Sequence, residues 1–334
     1  MFISILGRGL PLLMLAGCVA APGGDTDTLV TPALPLSAPE SYVWTVQEAS
    51  PEGVDAYAID LDEDGDVLIR LYREPGVRSF ELRQADGSVH VVRPVDLDHA
   101  SSLELLRMNE DGLAIGSIEW VEGPDIHRET LRLDLSSGAV ELLPRLEALD
   151  INASGDVLAH TWGTGPPVVW SGPGEQVELP LSPNALLDDG SVVGSLRGEG
   201  TQSQAARWVP GLGVLLLEGG GTRAGAAAAG PDGWPIVGTG VVEPGLSGSI
   251  QWDRDGSFHV LPPLAVRWGS RVNGSGWLVG SGDMLVHDGV AYDIGTLVGE
   301  DLEAAVAINE RGQILATRRG ELRQAVVLTP SERR

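Results

Sequence analysis

From residue 42 onward the chain alternates short apolar runs with tight polar turns, and one unit keeps returning. Its clearest copy is AAVAINERGQILA, Ala304–Ala316: an apolar run ends in Ile308, a turn follows with Asn309 and Gly312, and a second apolar run begins at Ile314. Short apolar runs bounded by Asx and Gly predict a β-hairpin. The turn recurs at Gly65, Gly112, Gly155, Gly190, Gly233 and Gly276, so successive copies, including Gly312, stand 35 to 47 residues apart. A period near forty in an all-β pattern predicts the blades of a β-propeller. Seven four-stranded blades fit best; six or eight stay open because the second copy is long and the sixth short.

The third copy displays a whole blade: Ala148–Ile151 as inner strand, then Asp156–Thr161, Pro167–Trp170 and an outer Gln176–Leu179 closed by Pro180. The third strand recurs as AARW ending at Trp208 and SIQW ending at Trp252, which predicts aromatic packing between blades. Pro94, Pro144 and Pro262 close outer strands as Pro180 does, in keeping with an edge that needs no N–H donor. Three residues before the repeating Gly stand Asp62, Asn109, Asn152, Asn273 and Asn309, with Leu187 and Gly230 as exceptions. Asx side chains bond their own turn backbone, and Gly accepts positive φ. The seventh copy runs out after a third strand, Gln324–Leu328, ended by Pro330, while Tyr42–Glu48 is a spare strand near the N-terminus. Pairing the two closes the ring and covers an edge.

The first residues carry an address rather than a fold. Met1–Cys18 has one basic residue, Arg8, and an apolar run, Leu10–Ala16, too short to span a bilayer. Leu15-Ala16-Gly17-Cys18 resembles the lipobox of bacterial lipoproteins; the resemblance implies cleavage before Cys18 and attachment of diacylglycerol to its sulfur. Cys18 is the sole cysteine, so no disulfide forms within the chain, and lipidation would remove its reactive thiol. The Pro-, Ala- and Thr-rich stretch Val19–Glu40 predicts a flexible tether with a reach on the order of 25 Å. The expected organisation is a signal peptide over 1–17, lipidated Cys18 and tether over 18–40, one propeller over 41–330 and a tail over 331–334. Val19 after the cysteine favours delivery to the periplasmic side of an outer membrane or the cell surface.

Asp293-Ile294-Gly295-Thr296-Leu297, followed by Ala307-Ile308-Asn309-Glu310-Arg311-Gly312-Gln313-Ile314, resembles the repeat of extracellular HAF-repeat proteins. Ala325–Leu328 takes the place of that repeat's last element, without its aromatic. The resemblance covers the chain from about Asp150 onward and implies a secreted, propeller-like fold with no chemistry to assign to single residues.

Charge narrows the partners. With 22 Lys+Arg against 47 Asp+Glu the formal net charge is −25, which repels nucleic acid and anionic lipid. Asp60-Leu61-Asp62-Glu63-Asp64-Gly65 has the D-x-D-x-D-G spacing of calcium loops, so Asp60, Asp62 and Asp64 are candidate Ca²⁺ ligands. The closing ligand is missing, since the later loop positions fall on Leu68 and Leu71, and a purely structural turn is the plainer reading. Six histidines, at 90, 99, 127, 160, 259 and 287, show no close metal spacing. No G-x-S-x-G elbow is present, and the glycines of Gly219–Gly225 lack the Lys of a P-loop. Trp120, Trp162, Trp234, Trp268 and Trp277 lie near turns or second strands, as packing or as a gripping face. The leading expectation is a lipid-anchored binding module for an envelope protein or glycan. Two alternatives stand beside it: a lyase or hydrolase with a dispersed site at the axial mouth, and a calcium-stabilised structural module.

Overall fold

The structure is a computed structural model and describes residues 38–332 apart from 75–76, 93–101, 123–124, 144, 164, 199–201, 222, 244–245, 264, 267–268 and 281. Leu15, Ala16, Gly17 and Cys18, expected to form a lipobox, lie outside the described residues, as do Pro94, His99, Pro144 and Trp268. Seven four-stranded antiparallel sheets make a seven-bladed β-propeller. Six blades are meanders of four consecutive strands, with inner strands Asp55–Leu61, Ser102–Met108, Leu146–Ile151, Ser182–Leu186, Gly225–Ala229 and Arg271–Val272. Blade seven takes Leu302–Ile308, Ile314–Arg318 and Gln324–Glu332 from the C-terminal end and Tyr42–Glu48 from the N-terminal end.

That closure is the one expected, with Val46 opposite Leu328 and Trp44 opposite Pro330. The expectation that Pro330 ends its strand is corrected: the strand continues to Glu332. Pairing to the second strand of the blade stops at Leu328 opposite Ile314, so Pro330 sits where one flank is already bare and its missing N–H breaks no ladder bond. Ahead of Tyr42–Glu48, a 3-10 turn over Pro39–Ser41 buries Pro39 and leads into that closing strand.

The core is a set of seven apolar seams, one between each pair of neighbouring blades. Trp170 is buried in the seam between blades two and three, and Trp252 in that between four and five, while Trp208 packs half-buried against the seam between three and four. Trp277 is fully buried between blades six and seven, against Tyr42 and Trp44. Of the remaining tryptophans, Trp234 is half-buried, Trp120 stacks on His127 and Trp162 is exposed. No aromatic face emerges among the described residues.

Each hairpin turn is built alike. The N–H of the repeating Gly donates to the carbonyl three residues back, as from Gly155 to Asn152 at 2.9 Å and from Gly312 to Asn309 at 2.9 Å. All seven glycines have φ between 72° and 91°, where a Cβ would strain the backbone. Six inner strands carry a bulge six residues before that Gly, for example between Ala58 and Asp60 and between Ala148 and Asp150. A bulge re-aims the next side chain. Here it brings the residue five before the Gly to the axis of the ring.

Candidate functional site

Because each blade is an antiparallel meander, the seven Gly turns share one face and surround the axis. Three offsets from the repeating Gly build the mouth there. Five residues before it stand Asp60, Arg107, Asp150, Ala185, Ala228, Arg271 and Ala307, in blade order. Asp60 is buried and its Oδ2 accepts from the N–H of Met108 in the next blade at 3.1 Å. Asp150 does the same with Leu186 N–H at 3.0 Å, and Arg107 Nε lies 3.8 Å from Asp150 Oδ1. Arg107 thus stands between two carboxylates of neighbouring blades.

Three residues before the Gly the Asx side chains face two ways. Their Oδ1 caps the turn, as Asn152 does for Asp156 N–H at 2.8 Å and Asp62 for Asp66 N–H at 2.8 Å. The Asn amides then donate to the same turn of the next blade: Asn109 to Asn152 O at 3.0 Å, Asn152 to Leu187 O at 3.3 Å, Asn273 to Asn309 O at 3.1 Å and Asn309 to Asp62 O at 3.1 Å. An interblade ladder therefore runs where Asn is present. It is interrupted at Asp62, which has no amide, and at Leu187 and Gly230.

Two residues before the Gly, carboxylates make a second ladder. Glu310 accepts from Gly274 N–H at 2.6 Å, Glu63 from Glu310 N–H at 2.9 Å and Asp188 from Ala153 N–H at 2.9 Å. Glu110 holds the corresponding place in blade two and is exposed. The result is an acidic rim around an axial pocket of about 190 Å³, lined on one side by Asp60, Arg107 and Asp150 and on the other by Ala185, Ala228 and Val272, with Arg271.

The rim and floor are short of positive charge, and their acidities show it. Burial pushes Asp62 up to about 7, with the charges of Asp66 and Asp64 adding to the rise and the N–H groups of Asp66 and Gly65 opposing it. Burial likewise raises Glu63 to about 7 against the N–H of Glu310, helped by the charges of Glu310 and Glu110. Asp150 rises to about 6 through burial despite Arg107, and burial raises Asp60 as well. Glu110 and Glu310 are also raised, first by burial and then by Asp188 for the former and Asp232 for the latter.

The proposed calcium loop does not assemble. Asp60 turns to the axis, Asp62 caps its own turn, and exposed Asp64 pairs with Arg311 of blade seven at 3.2 Å. Among the described residues no group of three or more His, Cys, Asp or Glu is arranged to hold a metal. The turn glycines Gly65, Gly112, Gly155, Gly190, Gly233, Gly276 and Gly312 stand where the repeat put them. Arg107, Glu110, Asp150, Asp188 and Arg271 escaped the sequence reading, although each occupies a fixed offset from a Gly already identified.

No known family's sequence profile matches the chain, and no curated protein matches it in sequence. Solved structures do resemble it. The β-propeller domain of the Trilobed protease from Pyrococcus furiosus superposes with a TM-score of 0.53 at 12% identity, covering 83% of this chain and 97% of that one. The acylaminoacyl peptidase of Pyrococcus horikoshii gives 0.51 at 14% identity, over 81% of this chain and 50% of the peptidase. TolB from Acinetobacter baumannii gives 0.42 at 15% identity, over 84% of this chain and 64% of TolB. At such identities the likeness is one of fold alone, and by its fold this chain is a β-propeller.

Proposed function

We propose that the chain is an extracytoplasmic binding module, tethered to a membrane through lipidated Cys18, whose acidic axial mouth engages cationic side chains of an envelope protein. The carboxylate ladder carries this reading. Glu63, Asp188 and Glu310 each commit one oxygen to a backbone N–H of the neighbouring blade, which fixes the rim, and leave the other oxygen for a partner. A preorganised wall of one sign steers and holds the opposite charge with little ordering cost. The test is crosslinked capture from native membranes with the wild type, with Cys18→Ser and with a rim variant, Glu110→Lys/Asp188→Lys. Enrichment of one protein by the wild type, lost in the rim variant while its melting is unchanged, supports the reading. Equal capture by wild type and rim variant refutes it.

A second reading, an enzyme with a dispersed site at this mouth, draws on the acidities of Glu63, about 7, and Asp150, about 6. Those values suit a general acid near neutral pH. A hydrolase or lyase screen in which Glu63→Gln removes turnover would establish it.

A further inference from the structure

The axial pocket is asymmetric in a way the acidic rim alone does not explain. On the side of blades one to three, Asp60, Arg107 and Asp150 offset one another's charge across two blade boundaries. On the opposite side the same offset holds Ala185, Ala228 and Ala307, and between the last two stands Arg271. No carboxylate lies within 4.0 Å of its guanidinium among the described residues, and its hydrogen bond is to the adjacent Ser270 carbonyl at 3.3 Å. A half-buried guanidinium with five donors and one weak acceptor is poised for a bidentate anion.

The wall beside it is apolar. Ala185, Ala228, Ala229, Pro231 and Val272 line that side, and none carries a side-chain donor or acceptor. It suits a short aliphatic body. Above it the rim offers Glu63, Glu110 and Asp188, which exclude a guest that is purely anionic. The pocket of about 190 Å³ has room on the order of six waters, the size of an amino acid and too small for a folded segment.

We propose that the axial pocket binds a small aliphatic zwitterion of the amino-acid class, its carboxylate on Arg271, its methylenes along the alanine wall and its ammonium at the carboxylate rim. This goes beyond the protein-binding reading, because the rim can serve a protein whether or not the pocket beneath it is filled. The ligand spans the two charged ends of one cavity, so both charges contribute. A guest carrying one charge alone would leave Arg271 or the rim without a partner.

The experiment is calorimetric titration of the full chain in detergent with ω-amino acids from glycine to ε-aminocaproate, each compared with the amine and the acid of equal chain length. The expected result is saturable one-to-one binding of at least one zwitterion, with the matching amine and acid each weaker by about tenfold or more. Arg271→Gln should bring the zwitterion down to the affinity of the matching amine and leave the amine unchanged, while Arg271→Lys restores part of the difference. Ala228→Trp, checked by its melting curve, should remove binding of both by filling the wall. The proposal is overturned if no zwitterion saturates by about 100 mM, an affinity too weak to be specific. It is equally overturned if Arg271→Gln weakens amine and zwitterion alike. Neither result bears on the capture experiment, which reads the rim and needs no free ligand.

Discussion

Asp62→Asn should stabilise this protein, and most strongly at neutral to alkaline pH. In four blades the residue three before the turn Gly is an Asn that caps its own turn and donates its amide to the next blade. At blade one the residue is Asp62, which caps Asp66 N–H in the same way. Where those four blades offer an Asn amide to the next turn, an ionised Asp62 carboxylate has no proton to donate. Its acidity, raised from 3.8 to about 7 by burial, describes the same mismatch.

The folded value lies above the unfolded one, so the native state binds more protons between the two. Wild-type stability is therefore full below about pH 4 and declines as pH rises through about 7. A shift of roughly three units corresponds to about 4 kcal/mol as an upper bound. Asp62 retains solvent contact, and screening reduces this to about 1–2 kcal/mol. Asn removes the charge and supplies the donor, so at pH 8 the variant should gain about that amount, a rise in Tm of about 2–3 °C for a domain of this size. At pH 5 the folded wild type is protonated and donates as Asn would, leaving only the cost of taking up that proton on folding, so the variant's advantage should fall to roughly a third of that at pH 8. Scanning calorimetry at both pH values decides it. A variant no more stable than wild type at pH 8, or one stabilised equally at pH 5, refutes the reasoning.

Arg107→Ala strands Asp60 and Asp150 at the axis without their shared cation, and urea unfolding at pH 7 should show a loss of about 3–5 kcal/mol; a loss below about 1 kcal/mol would mean that the axial charges are solvated. Deleting the closing strand through Glu48 exposes an edge of Gln324–Glu332 and removes the packing of Tyr42 and Trp44 on Trp277. The truncated chain should self-associate by light scattering, and a monodisperse monomer would contradict the closure. Chelation or added Ca²⁺ should leave Tm unchanged, because Asp60, Asp62 and Asp64 serve three different partners. A rise in Tm on adding calcium would restore the cation loop.

The architecture was legible because the turn is stereochemically strict. Gly with positive φ, preceded at fixed distance by an Asx cap, leaves a mark that survives wherever the strands between vary. Trp170, Trp208 and Trp252 were legible for a similar reason, since each closes a seam at one repeat position. Reading Asp60, Asp62 and Asp64 along the chain, by contrast, grouped residues that the fold sends to the axis, the turn and the solvent. Their real neighbours lie at equal offsets in other blades. Asp60 belongs with Arg107 and Asp150, and Glu63 with Glu110, Asp188 and Glu310. Aligning the seven copies on their glycines displays those columns, whereas the partner of each residue depends on the ring being closed. Pro330 misled because proline ends a strand only where the flank its N–H would face is paired, and here that flank is bare.

The same columns explain why the pocket lies where it does. The Asn and carboxylate ladders tie the turns of blades six, seven and one, and again those of blades two, three and four, with a break after Asp62, and the axial charges Asp60, Arg107 and Asp150 stand in blades one to three. Blade five breaks all three columns with Ala228, Gly230 and Pro231, and blade four breaks two of them with Ala185 and Leu187 while keeping Asp188. Small and apolar side chains there remove both the cross-links and the bulk that would fill the axis, so space opens beside Arg271. Adjacent apolar seams, with Trp252 buried between blades four and five, hold that side together without the ladders. The break at Gly230 is fixed by the backbone itself: a Cβ there would lie 2.3 Å from the Trp234 carbonyl oxygen, so Gly230→Asn should destabilise the fold rather than restore the ladder, and a melting curve of that variant checks it.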